Sequence, residues 1–202
     1  MIHKKGIPWI LSPLCFSAGM YFIKKRKLAF SGILLSILNA YFFRNPRREC
    51  ILNPELIISP SDGKIISCEI EENDKIAPYP LWKIEIFTQI WDVYINRSPV
   101  IGKILKIDFL KTKTRANQFS FLIEREDGIP FWLIQTSKSI FQNCESFLLA
   151  GDEVIAGEPI SICEFGSKTQ LLFPAMDAEI YIKTGHKVFA GETVIGRYPL
   201  KK

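Results

Sequence analysis

Gly151-Asp152-Glu153-Val154-Ile155-Ala156-Gly157-Glu158 returns, with the same glycines, valine, alanine and glutamate, as Gly185-His186-Lys187-Val188-Phe189-Ala190-Gly191-Glu192. Each copy supplies what a tight β hammerhead needs: glycines where the backbone turns, a valine to bury and a glutamate for the solvent edge. Outward from the two copies, the chain reads as short strands separated by turns. Trp82, Ile84 and Ile86 alternate with Lys83 and Glu85, the period of a half-buried strand. Similar runs lie at 64–70, 104–109, 119–123, 131–135, 146–149, 170–173 and 178–183, and no long stretch of helical period interrupts them. The expected fold class is mainly β, an antiparallel barrel or sandwich with hammerhead-like repeats.

Between the two copies lies Phe165-Gly166-Ser167-Lys168, followed by the apolar run Leu171, Leu172, Phe173 and closed by Pro174. A serine hydroxyl can attack the carbonyl of the residue before it, and glycine hinders that attack least. The same residues also suit an ordinary strand-loop-strand turn, and the stretch alone leaves both readings open.

The N-terminus has a different character. Of 26 lysines and arginines and 21 acids in 202 residues, nine bases and one acid fall in the first fifty. That segment carries +8 and the remainder −3, within a total of +5. The positive charge accompanies two apolar runs, 7–23 and 28–43, divided by Lys24-Lys25-Arg26-Lys27. Basic residues concentrated at an apolar terminus point to an anionic membrane surface and away from nucleic acid, whose binders spread bases across a folded face. Each run falls short of the roughly 20 residues of a membrane-crossing helix. A hydrophobic helical hairpin serving as a membrane-attachment segment is expected over 1–48, and a β-rich domain over 49–202.

The five cysteines show no Cys-x-x-Cys pair, so they are read as reduced packing residues in a cytosol-facing protein, with no metal site. Of the two histidines, His3 sits in the basic leader and His186 in a repeat turn. The repeats resemble biotinyl and lipoyl carrier domains, and Ala175-Met176-Asp177-Ala178 is similar to the carrier loop. Asp177 stands where a carrier needs its lysine amine, and a carboxylate forms no such amide.

Four further stretches fall in one order: Phe42-Phe43-Arg44-Asn45-Pro46-Arg47-Arg48, Ser59-Pro60-Ser61-Asp62-Gly63-Lys64, Asp92-Val93-Tyr94-Ile95-Asn96-Arg97-Ser98-Pro99-Val100-Ile101-Gly102, and Phe165-Gly166-Ser167 with Pro174. In content, order and spacing they resemble the phosphatidylserine decarboxylases, in particular the short bacterial and archaeal branch. The resemblance covers nearly the whole chain. It implies an enzyme, a carboxy-lyase, made as a zymogen that cuts itself between Gly166 and Ser167. The β chain would be residues 1–166 and the α chain 167–202, with Ser167 converted to a covalent pyruvoyl cofactor. The pyruvoyl ketone then condenses with the serine headgroup amine of phosphatidylserine and accepts the electrons released as carbon dioxide leaves, yielding phosphatidylethanolamine. Asp62 matches the carboxylate that assists self-cleavage. The implied setting is phospholipid biosynthesis at the cell membrane, with the catalytic domain on the cytoplasmic side. Homo-oligomerisation is left open.

The chain also departs from the family pattern. Tyr94 stands where the family has a proton-transferring histidine, and a phenol of pKa about 10 is a poor base at neutral pH. Tyr94 is retained as a catalytic candidate, as an acid or a hydrogen-bond donor, beside the reading of a packing aromatic. Asn117-Gln118-Phe119 replaces Asn-Glu-Arg, Glu164 replaces an arginine, and paired arginines near Ile140 are missing. Two other readings therefore stand beside the first: a non-catalytic, membrane-bound lipid-binding relative, and a pyruvoyl decarboxylase for a different serine phospholipid or amine. Lys111, Lys113 and Arg115 form a basic cluster suited to lipid phosphates or to a solvated strand face.

Overall fold

The computed structural model of the chain describes residues 6–72, 76–111, 117–137, 144–163 and 166–200. Glu164, Phe165, Ile140, Lys113 and Arg115 lie outside them, as do the side chains of Lys111 and Asn117. The chain divides into two compact units, Met1–Arg47 and Arg48–Lys202.

The first unit is a pair of 17-residue helices, α1 (Gly6–Phe22) and α2 (Arg26–Phe42), joined through Lys24 at φ 61°. Small and polar residues hold them together. A Cβ on Gly32 would stand 2.7 Å from the Pro13 carbonyl oxygen and 2.8 Å from Ser17 Cβ, so the backbones pass closer than any side chain permits. The Ser17 hydroxyl donates to the Ala29 carbonyl at 2.5 Å, Ser36 to Ile10 at 2.8 Å, and the Asn39 amide to Trp9 at 2.7 Å. Trp9, Phe16, Phe30, Leu34 and Ile37 point outward and are more than half exposed. Among the described residues no helix is long and apolar enough to cross a membrane.

The second unit is built from strands β1 (Leu56–Ile58), β2 (Gly63–Glu71), β3 (Leu81–Phe87), β4 (Ile95–Arg97), β5 (Gly102–Lys111), β6 (Asn117–Glu124), β7 (Pro130–Ser137), β8 (Cys144–Ser146), β9 (Glu153–Val154), β10 (Pro159–Cys163), β11 (Ser167–Pro174), β12 (Glu179–Ile180), β13 (Lys187–Val188) and β14 (Val194–Arg197). Eight of them form an antiparallel sheet in the order β13-β2-β3-β11-β7-β6-β5-β9, curled into a half-barrel. Two three-stranded sheets, β1-β14-β12 and β4-β10-β8, complete the body. Alternating strand residues fill the interior: Ile65, Ile84, Ile86, Phe121, Leu133 and Leu171 are all within 1 % of full burial, as period-2 patterning requires. Phe131 stacks on Phe173 at 5.4 Å, with the Tyr198 ring edge-on to both.

The mainly β, antiparallel reading is correct at this level. The two Gly-x-x-Val-x-Ala-Gly-Glu copies form short strands, β9 and β13, at opposite ends of the eight-stranded order. Their last glycines nevertheless meet, since a Cβ on Gly191 would lie 3.5 Å from the Gly157 Cα. Only a curled sheet brings its two edges together in this way.

A second repeat underlies the first. Ser59-Pro-Ser-Asp-Gly-Lys-Ile65 and Ser98-Pro-Val-Ile-Gly-Lys-Ile104 precede and open β2 and β5, and their hydrogen bonds correspond. Ile58 N–H donates to the Pro99 carbonyl and Arg97 N–H to that of Pro60, each at 2.8 Å. The Ser59 hydroxyl donates to Ser61 and Ser98 to Val100. Gly191 N–H donates to Ser59 and Gly157 N–H to Ser98. Gly185 N–H donates to Ile65 and Gly151 N–H to Ile104. The body thus contains two halves with matched backbone architecture.

The expectation of five reduced cysteines is corrected. Cys144 and Cys163 are joined in a disulfide, leaving Cys15, Cys50 and Cys68 free. The two bonded residues face each other as partners across β8 and β10, a pairing that sequence spacing alone does not reveal.

Candidate active site

Ser167 opens β11, between β3 and β7 in the curled sheet, and is 2 % exposed. It pairs with Ser137, and its carbonyl accepts the Thr88 N–H at 2.9 Å. Gly166 before it has φ +81°, in the left-handed region, so a side chain there would be strained. A Cβ at Gly166 would lie 3.4 Å from the Thr88 carbonyl oxygen. The Thr88 hydroxyl donates at 2.8 Å to the carbonyl of Asp62. One buried threonine therefore connects two of the residues singled out in the sequence.

The Asp62 carboxylate is turned toward a different group. Its Oδ1 accepts the Ala190 N–H at 2.8 Å, and its Oδ2 accepts from Arg48 at 2.8 Å in an ion pair whose side chains are only 6 % and 4 % exposed. Arg48 also donates to the Ala190 carbonyl and lies 3.5 Å from Glu192. Arg97, the last charged residue of the Asp92–Gly102 stretch, packs its Cδ against Gly191 and donates to the Gly157 carbonyl at 2.8 Å. Burial, followed by the neighbouring charge of Arg48, lowers the Arg97 pKa from its ordinary value. Burial raises that of Cys50 against the opposing pull of Arg97. Four stretches far apart in the chain, around Arg48, Asp62, Arg97 and Gly191, thus converge on one buried ionic cluster.

Tyr94 is 2 % exposed and lies just before β4. Its carbonyl accepts the Cys163 N–H, four residues upstream of Ser167. Its hydroxyl donates at 2.6 Å to the Ile90 carbonyl. The donor role foreseen for the phenol is thus directed at a turn. His186 is exposed in its own turn, where Nδ1 accepts the Lys183 N–H at 3.3 Å.

Sequence reasoning missed Thr88, which follows β3 and belongs to none of the quoted stretches. It quoted Arg48 and Arg97 without giving either a role. Two buried hydroxyls also flank the site, Ser61 Oγ and Thr169 Oγ1, neither with a hydrogen-bond partner among the described residues.

A sequence model of the phosphatidylserine decarboxylase family matches residues 35–196. The chain belongs to that family. It is 27 % identical over 208 residues to a phosphatidylserine decarboxylase proenzyme of Syntrophus aciditrophicus, covering 98 % of this chain and 97 % of that one. It is 30 % identical over 218 residues to a phosphatidylserine decarboxylase proenzyme of Erythrobacter litoralis, at 97 % and 87 % coverage. A putative archaetidylserine decarboxylase proenzyme of Methanopyrus kandleri is 29 % identical over 205 residues, at 94 % and 95 %. No solved structure matches the chain.

Proposed function

We propose that the chain cuts itself between Gly166 and Ser167 and then decarboxylates phosphatidylserine to phosphatidylethanolamine at a membrane. The observation that carries this reading is the left-handed Gly166 followed by a buried Ser167 whose carbonyl is pinned by Thr88. Ser167 Oγ adds to the Gly166 carbonyl carbon, the Gly166–Ser167 C–N bond breaks, and an ester takes its place. Loss of the Ser167 Cα proton expels Gly166 as a carboxylate and leaves dehydroalanine, which water converts to a pyruvoyl group and ammonia. The residues present fit that group, because the Ser167 carbonyl, which the group would keep, accepts the Thr88 N–H at 2.9 Å. Once formed, the group supplies a conjugated carbonyl able to accept an electron pair as carbon dioxide leaves.

Asp62 acts in this scheme by position. Its carboxylate, neutralised by Arg48, fixes the start of β2, and its carbonyl fixes the Thr88 side chain. Tyr94 stands outside the cutting step in this scheme and acts as a hydrogen-bond donor to the Ile90 carbonyl of the neighbouring turn. The two products are an α and a β chain from one precursor. The helical pair, with small residues inside and apolar residues outside, supports membrane attachment, because such packing suits a lipid solvent. The cytoplasmic side and the cell membrane are the proposed setting.

The engagement of both Asp62 carboxylate oxygens, together with tyrosine at 94, favours a second reading: a lipid-binding member that keeps the fold without the reaction. Incubating purified protein with phosphatidylserine in detergent, then measuring both intact mass and phosphatidylethanolamine, separates the two. Cut chain with product supports the enzyme; uncut chain without product supports the binder.

A further inference from the structure

Beside Thr88 the chain makes a tight turn, Gln89-Ile90-Trp91-Asp92, closed by the Asp92 N–H to the Gln89 carbonyl at 3.1 Å. Its corner positions, normally given to glycine, proline, asparagine or aspartate, hold Ile90 and Trp91, which are 46 % and 61 % exposed. The tip is braced from two sides. Asp92 Oδ2 accepts the Gln89 N–H at 2.8 Å, turning that carboxylate inward, and the Tyr94 hydroxyl donates to the Ile90 carbonyl. Phe87, at the end of β3, is 45 % exposed on the adjoining surface.

Across a cleft of about 210 Å³ from Gln89 and Asp92 stand Lys64 and Lys187. They are direct cross-strand partners in β2 and β13, an arrangement that destabilises a sheet when both carry the same charge. The carboxylates further along β2 and β3 are engaged with other groups: Glu85 with Lys168 at 2.8 Å, Glu71 with Lys83 at 2.6 Å, and Glu69 with the Ser67 hydroxyl.

The second half of the body serves as an internal control. Its corresponding cross-strand pair is Lys103 and Glu153, of opposite charge. The turn that follows β6, Arg125-Glu126-Asp127-Gly128, is polar and ends in glycine, with Arg125 buried and paired to Asp127. The matched architecture therefore calls for neither paired lysines nor an apolar tip. Both occur only in the half that holds Ser167.

We infer that the Gln89–Asp92 turn and the Lys64–Lys187 pair form a docking edge for an anionic lipid surface, with Ile90 and Trp91 entering the headgroup boundary and the lysines meeting lipid phosphates. An aromatic and an aliphatic residue beside two lysines that form no ion pair among the described residues, Lys187 lying over the Phe189 ring at 5.5 Å, match the two faces of such an interface. On this inference, Tyr94 is a positioning residue that keeps the inserting tip rigid.

The test is hydrogen–deuterium exchange on the full chain, reconstituted in phosphatidylcholine vesicles with and without phosphatidylglycerol. Neither lipid carries a serine headgroup, so binding is measured without turnover, and intact mass on the same sample scores self-cleavage separately. Phosphatidylglycerol is expected to slow exchange across 87–92 by about threefold or more and to leave 125–129 unchanged. Trp91→Ser, and separately Lys64→Gln with Lys187→Gln, should abolish that slowing. Equal protection of both turns, no protection of 87–92, or the same protection from inorganic phosphate without vesicles would overturn the inference.

Discussion

Asp62 and Ile101 stand at the same place in two halves of one design, each three residues after a Ser-Pro serine and just before the Gly-Lys-Ile that opens a long strand. Around them the backbone bonds correspond, but the chemistry does not. Asp62 is locked to Arg48 and Ala190, while Ile101 has no charge to offer. The next strand runs to Thr88 and an apolar tip in one half, and to Arg125 and a polar turn in the other. Arg125 is buried, bound to Asp127 and to the carbonyls of Tyr198 and Pro199, and secures the C-terminal segment. What the halves share makes the fold, and what they do not share is where, on the proposed function, one half would work on a substrate while the other holds the chain together.

Erasing the sharpest difference should have the largest effect. Asp62→Ile, which copies Ile101, strands the Arg48 charge in a buried site and is expected to cost about 3–5 kcal/mol in urea unfolding of the full chain. Adding Arg48→Met should recover much of that loss if the ion pair is the cause. A recovery near zero would show that Asp62 matters for another reason.

The shared positions sharpen the comparison from the other side. A Cβ on Gly63 would stand 2.3 Å from the Phe87 carbonyl oxygen, and one on Gly102 would stand 2.3 Å from that of Glu124. Gly63→Ala and Gly102→Ala should each destabilise by about 1–3 kcal/mol, yet only the first should slow appearance of the cut chain. Equal slowing by both would blur the distinction between the working half and the supporting half.

Thr88→Val and Tyr94→Phe remove one hydrogen bond each, worth about 0.5–1.5 kcal/mol. The expected outcomes diverge in function: Thr88→Val slows self-cleavage, because its hydroxyl holds Asp62, whereas Tyr94→Phe leaves the rate of cutting unchanged. Stopped cutting in Tyr94→Phe, followed by mass against time, would return a proton-transfer role to the phenol. The smallest effect belongs to Ser61, whose counterpart is Val100. Ser61→Ala removes a buried hydroxyl without a partner among the described residues and should raise stability by up to about 1 kcal/mol.

Much of this was legible in the sequence. Period-2 alternation at Trp82, Ile84 and Ile86 declared a strand, and two uncharged runs parted by four bases declared the helical pair. The Gly-Ser step and Asp62 were visible because both sit in short stretches with turn-forming glycines. Thr88 was not, because its importance arises from strand order: β3 lies between β2 and β11, so the residue after its end meets both Asp62 and Ser167. The Cys144–Cys163 bond was hidden for a related reason: register across β8 and β10 decides it, and register is a property of paired strands. The Ser-Pro repeat lay in plain letters, but its meaning depends on the exchanged bonds between Ile58 and Pro99 and between Arg97 and Pro60.

The central claim is that the half containing Asp62 and Thr88 prepares the Gly166–Ser167 bond for its own cleavage. The most direct test is the denatured intact mass of the purified full chain beside a Ser167→Ala control, with hydroxylamine added to trap a carbonyl. Two fragments divided between Gly166 and Ser167 are expected, the smaller shifted by the trapping reagent, with the control left whole. A single uncut mass for both proteins after prolonged incubation with phosphatidylserine membranes would contradict the account.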